Sequence, residues 1–155
     1  MAEGEIYMSA VNIPDLQVLV VDDNLVVRKL IEGQLNALGF KHIDAAGNSQ
    51  EAQDRITAKE YDIVFLDWNM PGKSGYALMQ EYREERRYDH IAFVMVTAES
   101  QERYVREAVK AGATLYITKP IAPATFKEKV EKVIVWLQNT RAGKSGSMPA
   151  EGSAP

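Results

Sequence analysis

Two rhythms alternate along this chain. Short stretches rich in apolar residues recur, all but the second running into a polar residue, and between them apolar positions recur every three or four residues. The short stretches, at 16–21, 42–46, 63–66, 91–96 and 114–118, have the length and the apolar content of strands. Unbroken apolarity of this kind suits strands covered on both faces. The clearest is Ile63-Val64-Phe65-Leu66, opened by Asp62 and followed at once by Asp67-Trp68-Asn69-Met70-Pro71-Gly72, a carboxylate and then a turn.

The longer stretches read as helices. Asn24 is a good N-cap, Val26, Val27, Leu30, Ile31, Leu35 and Leu38 mark one helical face, and Gly39 supplies the stop. A helix over 49–59 turns Ala52 and Ile56 inward, and one over 75–87 turns Leu78, Met79 and Tyr82 inward. Gly112 stops a helix over 101–111. A last one over 124–138 buries Phe126, Val130, Val133, Ile134 and Leu137. The unit βα therefore occurs five times. Strands joined by helices of this length must be parallel, with right-handed crossovers and helices on both faces of the sheet, an α/β fold.

With 155 residues and 46% hydrophobic content, the chain has enough apolar material for one domain with a proper core. The net charge of −4 offers no basic field for nucleic acid. The absence of cysteine rules out a disulfide framework and thiolate metal sites. No apolar run approaches the roughly 20 residues that span a bilayer, and the start lacks the form of a secretory signal. These features favour a cytoplasmic protein without a membrane partner. Residues 1–14 read as a loose leader, 15–139 as the folded domain, and 140–155, rich in Gly, Ser, Ala and Pro, as a disordered tail or linker.

In a parallel sheet all the strand C-termini lie on one edge, where open α/β sheets place their ligands. The polar residues there are Asp22 and Asp23 after the first strand, Asp67 after the third, Thr97 after the fourth and Lys119 after the fifth. Taken singly, each has an ordinary reading as a turn former, a sheet residue or a solvated cation. Together they bring three carboxylates, a hydroxyl and an ammonium to one edge. If the strands follow the order 2-1-3-4-5, the carboxylates flank the switch point where a crevice opens.

Carboxylates packed this closely repel, and one takes up a proton unless a cation sits among them. Hard oxygen ligands without a complete protein shell suit Mg²⁺. A site with Mg²⁺, Lys119, the Thr97 hydroxyl and a nucleophilic carboxylate is equipped for phosphoryl transfer, in which attack by an aspartate forms an acyl phosphate.

Over about 16–137 the chain resembles a response-regulator receiver domain and is especially similar to the stand-alone chemotaxis type. The resemblance rests on Val20-Val21-Asp22-Asp23, Leu66-Asp67-Trp68-Asn69-Met70-Pro71, Val96-Thr97-Ala98-Glu99 and Tyr116-Ile117-Thr118-Lys119-Pro120, in that order and at domain spacing. It implies a flavodoxin-like (βα)5 fold, a doubly wound five-stranded parallel sheet of order 2-1-3-4-5. The chemotaxis receiver is itself a type example of that order, so the order comes from the resemblance and not from the periodicity.

The resemblance further implies that Asp67 is the phosphoacceptor. Asp23 would ligate Mg²⁺ directly, Asp22 mainly through water, and the backbone carbonyl of Asn69 would complete the protein's share. Lys119 would pair with the phosphoryl group, after a Lys119-Pro120 bond expected to be cis. Thr97 and Tyr116 would form the switch, the hydroxyl moving toward the phosphoryl group as the ring turns inward. Asn69 and Glu99 would tune dephosphorylation, both spontaneous and phosphatase-assisted. Output would use the face of the fourth helix, fifth strand and fifth helix, with Gln101, Glu102, Val105, Tyr116, Lys129 and Lys132.

The implied partners are a histidine kinase as donor, a downstream target such as the flagellar motor switch, and a phosphatase. One departure counts against the motor switch: the chemotaxis type usually carries basic residues where this chain has Gln101 and Glu102. A phosphorelay intermediate, or a receiver cut from a larger protein, therefore stays open. A dehalogenase-like phosphatase needs an acid two residues past its aspartate, where this chain has Asn69. A nucleotide- or flavin-binding module would want glycines after the first strand, where this chain has Asp23-Asn24-Leu25. The chain reads as a signalling switch with slow self-hydrolysis rather than as an enzyme.

Overall fold

The apolar runs form one parallel sheet. In the computed structural model, which describes residues 11–143, β1 (Gln17–Val21), β2 (His42–Ala46), β3 (Ile63–Leu66), β4 (Ala92–Thr97) and β5 (Leu115–Thr118) stand in the order β2-β1-β3-β4-β5. Every neighbouring pair is parallel, with Val21 level with Leu66 and Thr97 level with Thr118. The order and the fold class are as the resemblance implied.

Five helices connect the strands: α1 (Leu25–Ala37), α2 (Ser49–Ala58), α3 (Gly75–Arg83), α4 (Glu102–Ala111) and α5 (Pro123–Arg141). Side chains alternate across each strand, so the sheet has two cores. Val18, Val20, Ile63, Phe65, Val94, Val96 and Ile117 pack with Ile31 and Leu35 of α1 and with Phe126, Val130, Val133, Trp136 and Leu137 of α5. Leu19, Val21, Val64, Leu66, Phe93 and Met95 pack with Ala52 and Ile56 of α2, Leu78, Met79 and Tyr82 of α3 and Ala108 of α4. Each large apolar side chain buried this way contributes about 1.5–3 kcal/mol.

Three expectations need correction. On α1 the inward face is narrower than the periodicity suggests: Val26 is 75% and Leu30 46% exposed, one position round from the buried Ile31 and half-buried Val27. α3 stops at Arg83, and Arg86–Tyr88 forms a separate 3₁₀ turn, because the charged run Glu84 to Arg87 has no apolar side chain to hold a helix against the sheet. Order also extends past both domain boundaries. Val11 and Ile13 cover the first core, and α5 runs through Thr140 to Arg141, whose guanidinium donates to Asp62 at 2.8 Å. The rest of the leader and tail, 1–10 and 144–155, lies outside the described residues. Among the described residues no helix is long and apolar enough to cross a membrane.

Arg83 closes the edge of the sheet opposite the carboxylates. Its guanidinium donates to the carbonyls of Gly112 at 2.9 Å, Tyr88 at 3.1 Å and Ile91 at 2.7 Å, and it lies 4.8 Å from the Phe93 ring centroid. Burial pushes the guanidinium down to about 10. Gly112 has φ +116°, and a Cβ there would come within 2.6 Å of Arg83 Cγ, so the α4–β5 turn admits only glycine against this side chain. Arg83→Met keeps the aliphatic stem but takes the guanidinium from the Gly112 and Ile91 carbonyls and leaves the Tyr88 carbonyl with only the Ile91 N–H. Chemical denaturation should show a loss of about 2–4 kcal/mol at unchanged m; a loss under about 0.5 kcal/mol would mean that water satisfies those carbonyls equally well.

Candidate functional site

The strand register carries the polar strand-end residues to one place. The backbone N–H of Asp22 donates to Ala46 at 3.1 Å, that of Asp67 to Val21 at 3.0 Å, and that of Lys119 to Thr97 at 2.8 Å. These residues thus extend the ladder by one rung, which fixes their backbones before any side chain interacts. The Asp22 carboxylate is then held on both oxygens, by the Asn24 N–H at 2.8 Å and the Lys119 ammonium at 2.8 Å. Arg28 donates to the Asp22 carbonyl at 2.6 Å. The same Lys119 reaches Asp67 at 3.3 Å, and the Lys119-Pro120 bond is cis as the resemblance implied.

Asp22, Asp67 and Thr97 are buried, while Asp23 is exposed. Burial, helped by the charge of Asp22, holds the Asp67 carboxyl above its ordinary range, although Lys119 and a hydrogen bond from Thr97 pull it back. Burial works against the charge on Lys119, but its bond to Asp22 and the charge of Asp67 outweigh that and raise its pKa. The surroundings therefore favour the charge on the ammonium and disfavour the Asp67 anion. A further cation would relieve it. Asp22, Asp23 and Asp67 each offer an oxygen within 4.8 Å of the others, a hard-oxygen set open to solvent through Asp23. That donor set fits Mg²⁺.

The loop after Asp67 is folded tightly beneath it. Gly75 donates its N–H to the Trp68 carbonyl at 2.8 Å, and a Cβ at Gly75 would fall 1.8 Å from the Asp67 carbonyl oxygen. Ser74 caps α3 by accepting from the Ala77 N–H at 3.1 Å. The Trp68 ring stacks on Tyr76 of α3 at 4.5 Å and 11°, and meets Tyr104 of α4 edge-on at 5.3 Å. Asn69 donates to the Glu99 carboxylate at 3.0 Å, so the two residues expected to tune dephosphorylation bond directly to each other.

Thr97 accepts from the Glu99 N–H at 3.4 Å. The Tyr116 ring lies inward, 5% exposed, and its hydroxyl donates to the Glu99 carbonyl at 2.6 Å. Burial, reinforced by the charges of Glu99 and Asp67, pushes this phenol well above its ordinary value. Of the expected output residues, Gln101 and Glu102 are exposed at the start of α4, with Glu102 paired to Arg106. Val105 is half-buried, and Lys129 and Lys132 are partly exposed on α5. These residues lie away from the carboxylates and meet the site through Tyr116 and the β4–α4 loop.

Three contributors escape a reading of the sequence. Arg28 is one of several helical cations, and Tyr76 and Tyr104 look like ordinary amphipathic positions. Gly75 did leave a signal: a glycine in the first turn of a helix is a poor helix former, which points to a steric demand.

Against known proteins, residues 18–131 match the family described as the response regulator receiver domain. The Vibrio cholerae chemotaxis protein CheY-3 is 36% identical over 132 residues, covering 81% of this chain and 97% of its own length. A Campylobacter jejuni CheY homolog is 38% identical over 120 residues, covering 77% and 92%. Among solved structures, Vibrio cholerae CheY4 aligns with a TM-score of 0.70 at 26% identity, covering 76% of this chain and 98% of its own. A CheX–CheY–BeF3–Mg²⁺ complex from Borrelia burgdorferi aligns with a TM-score of 0.69 at 28% identity, covering 76% and 88%.

The raised Asp67 carboxyl has a consequence for stability in the metal-free protein. Below the ordinary carboxylate range Asp67 is protonated whether the chain is folded or not, and it costs nothing. As pH rises through its folded value the anion must be kept buried, and stability is lost. Asp67→Asn should therefore raise the melting temperature at pH 7 in the presence of chelator, with a gain that shrinks to nothing by about pH 3. Thermal melts across that range check this, and a variant less stable than the parent at pH 7 contradicts it.

Proposed function

The chain belongs to the response-regulator receiver family, and from that premise we propose that it is a single-domain phosphorylation switch of the chemotaxis type. The observation that supports this most is the placement of Lys119, whose one ammonium touches both Asp22 and Asp67 above the oxygen triad. It neutralises charge just where a phosphoryl group would have to be accepted.

Asp67 is the acceptor. One of its oxygens attacks phosphorus in a phosphohistidine of a partner histidine kinase, the phosphorus–nitrogen bond breaks, and its electron pair returns to the imidazole, which takes up a proton. Lys119 holds the transferred oxygens, and the Thr97 hydroxyl, already bonded to the Asp67 carboxylate, donates to one of them. Mg²⁺, present in the Borrelia complex, would be held by Asp22, Asp23, Asp67 and the backbone carbonyl of Asn69, and would supply charge neutralisation at the phosphoryl oxygens. Asn69 and Glu99 flank the path by which water later hydrolyses the acyl phosphate, unaided or with a phosphatase. The protein acts as a cytoplasmic switch rather than a turnover enzyme. Its output face is that of α4, β5 and α5, with Tyr116 and Thr97 linking that face to the site.

The flagellar motor switch is the target that the chemotaxis relatives suggest. A second reading, as a phosphorelay intermediate, draws on the exposed Gln101 and Glu102, where the chemotaxis type usually carries basic residues.

Incubation with Mg²⁺ and acetyl phosphate should add one phosphoryl group by intact-mass measurement, and Asp67→Asn should abolish it; labelling that persists in the variant would sink the assignment. Lys119→Ala should still be labelled, but should lose the phosphorylation-dependent change in hydrogen exchange over α4 and β5. If that change survives, Lys119 has no part in the coupling.

A further inference from the structure

The loop that follows the acceptor is tied to α4 twice, by residues adjacent in sequence. Trp68 meets Tyr104 edge-on at 5.3 Å, and Asn69 donates to Glu99, just ahead of α4, at 3.0 Å. On its other side the Trp68 ring is stacked on Tyr76 at 4.5 Å, and its carbonyl accepts from Gly75 at 2.8 Å, so α3 fixes it there. Trp68 is thus a clamped ring with one jaw on α3 and the other on the first turn of α4.

The α4 jaw has its own support. The Arg103 guanidinium lies 4.8 Å from the Tyr104 ring centroid and donates to its hydroxyl at 3.1 Å. The first turn of α4 lacks a side-chain cap at Gln101, and the far end of the helix is pinned through Gly112 to Arg83. Displacement of α4 is therefore easiest at the Tyr104 end, and it cannot occur there without disturbing the Trp68 contact.

We propose that Tyr104 and Tyr76 are positioning residues for the metal site: by clamping Trp68 between α3 and α4 they set the Asn69 peptide, so that metal affinity depends on where the start of α4 sits. The inference rests on the reading of the acidic triad and the Asn69 carbonyl as the metal ligands. The physical basis is the preferred geometry of aromatic pairs, stacked or edge-to-face at centroid separations of about 4.5–7 Å, which are favourable beyond their buried area. Because coupling between two sites is reciprocal, anything that holds the start of α4 in its clamped position tightens the metal site to the same degree.

The test is calorimetric titration of the full chain with MgCl2, with hydrogen exchange of the metal-free protein as a second readout. Tyr104→Leu should weaken Mg²⁺ binding about 3- to 10-fold and speed exchange of the Tyr104 and Val105 amides, while Tyr104→Phe, which keeps the ring, stays within about twofold of the parent. Tyr76→Leu removes the opposite jaw and should weaken Mg²⁺ binding similarly without speeding exchange in α4. Asp23→Asn is the control for the underlying reading and should lose binding by a larger factor. If Asp23→Asn loses binding while both leucine variants keep parental affinity, the clamp is wrong and the metal site stands. A Tyr104→Phe variant as weak as Tyr104→Leu also overturns it. If Asp23→Asn binds as the parent does, the site reading fails first.

Discussion

The arrangement depends on one electrostatic compromise, two buried carboxylates sharing a single ammonium. Asp22 and Asp67 come from neighbouring strands whose register leaves them side by side, and Lys119 comes from the far strand to lie between them. Taking charges out of water costs several kcal/mol each, and one cation cannot neutralise two anions. The deficit falls on Asp67, whose pKa is held above its ordinary range, whereas Asp22 has both oxygens bonded. The carboxylate left strained is the proposed nucleophile. A strained anion gains most from a cation or from conversion to an acyl phosphate.

Much of this was legible in the sequence, because it depends on backbone periodicity. Unbroken apolar runs such as Ile63 to Leu66 identify doubly covered strands, and a parallel sheet then sends each following polar residue to the same edge. The site residues could be found without knowing any side-chain geometry. Helix faces were read less well. On α1 the periodicity cannot say which of two adjacent stripes faces the sheet, and Val26 and Leu30 proved to be the outer one. The end of α3 was overshot because the charged run Glu84 to Arg87 is compatible with helix on propensity alone, and only the missing apolar anchor marks the stop; the Arg83 contacts with two later segments are encoded by no local pattern. The aromatic clamp was missed for a similar reason: Trp68, Tyr76 and Tyr104 sit on three elements and meet only after the crossovers place α3 and α4 side by side.

The two ends of the sheet are held by opposite strategies. At the carboxylate edge the interactions are charged, few and incompletely balanced, which is what a site that must change state requires. At the other edge Arg83 meets neutral carbonyls, the Thr114 hydroxyl and an aromatic face, a set in which its hydrogen bonds go to uncharged groups. Helix α4 spans from one regime to the other. Its start lies beside Glu99, whose carbonyl holds the Tyr116 hydroxyl, and its end abuts the Arg83 anchor. A helix fixed at one end and lightly held at the other converts a small local change into a tilt.

The loop between Asp67 and α3 is unequal in what it tolerates. At Gly75 even a methyl group would collide with the Asp67 carbonyl, whereas a Cβ at Gly72 would meet nothing within 4 Å. Where chemistry is to be grafted beside Asp67, such as a tethered probe or a longer recognition loop, the tip around Gly72 has the room, although the φ of +80° at Gly72 itself keeps that position glycine. The return leg through Ser74 and Gly75 works as a fixed ruler. It sets how far Asp67 stands from α3, and a graft that changed its length would move Asp67 itself.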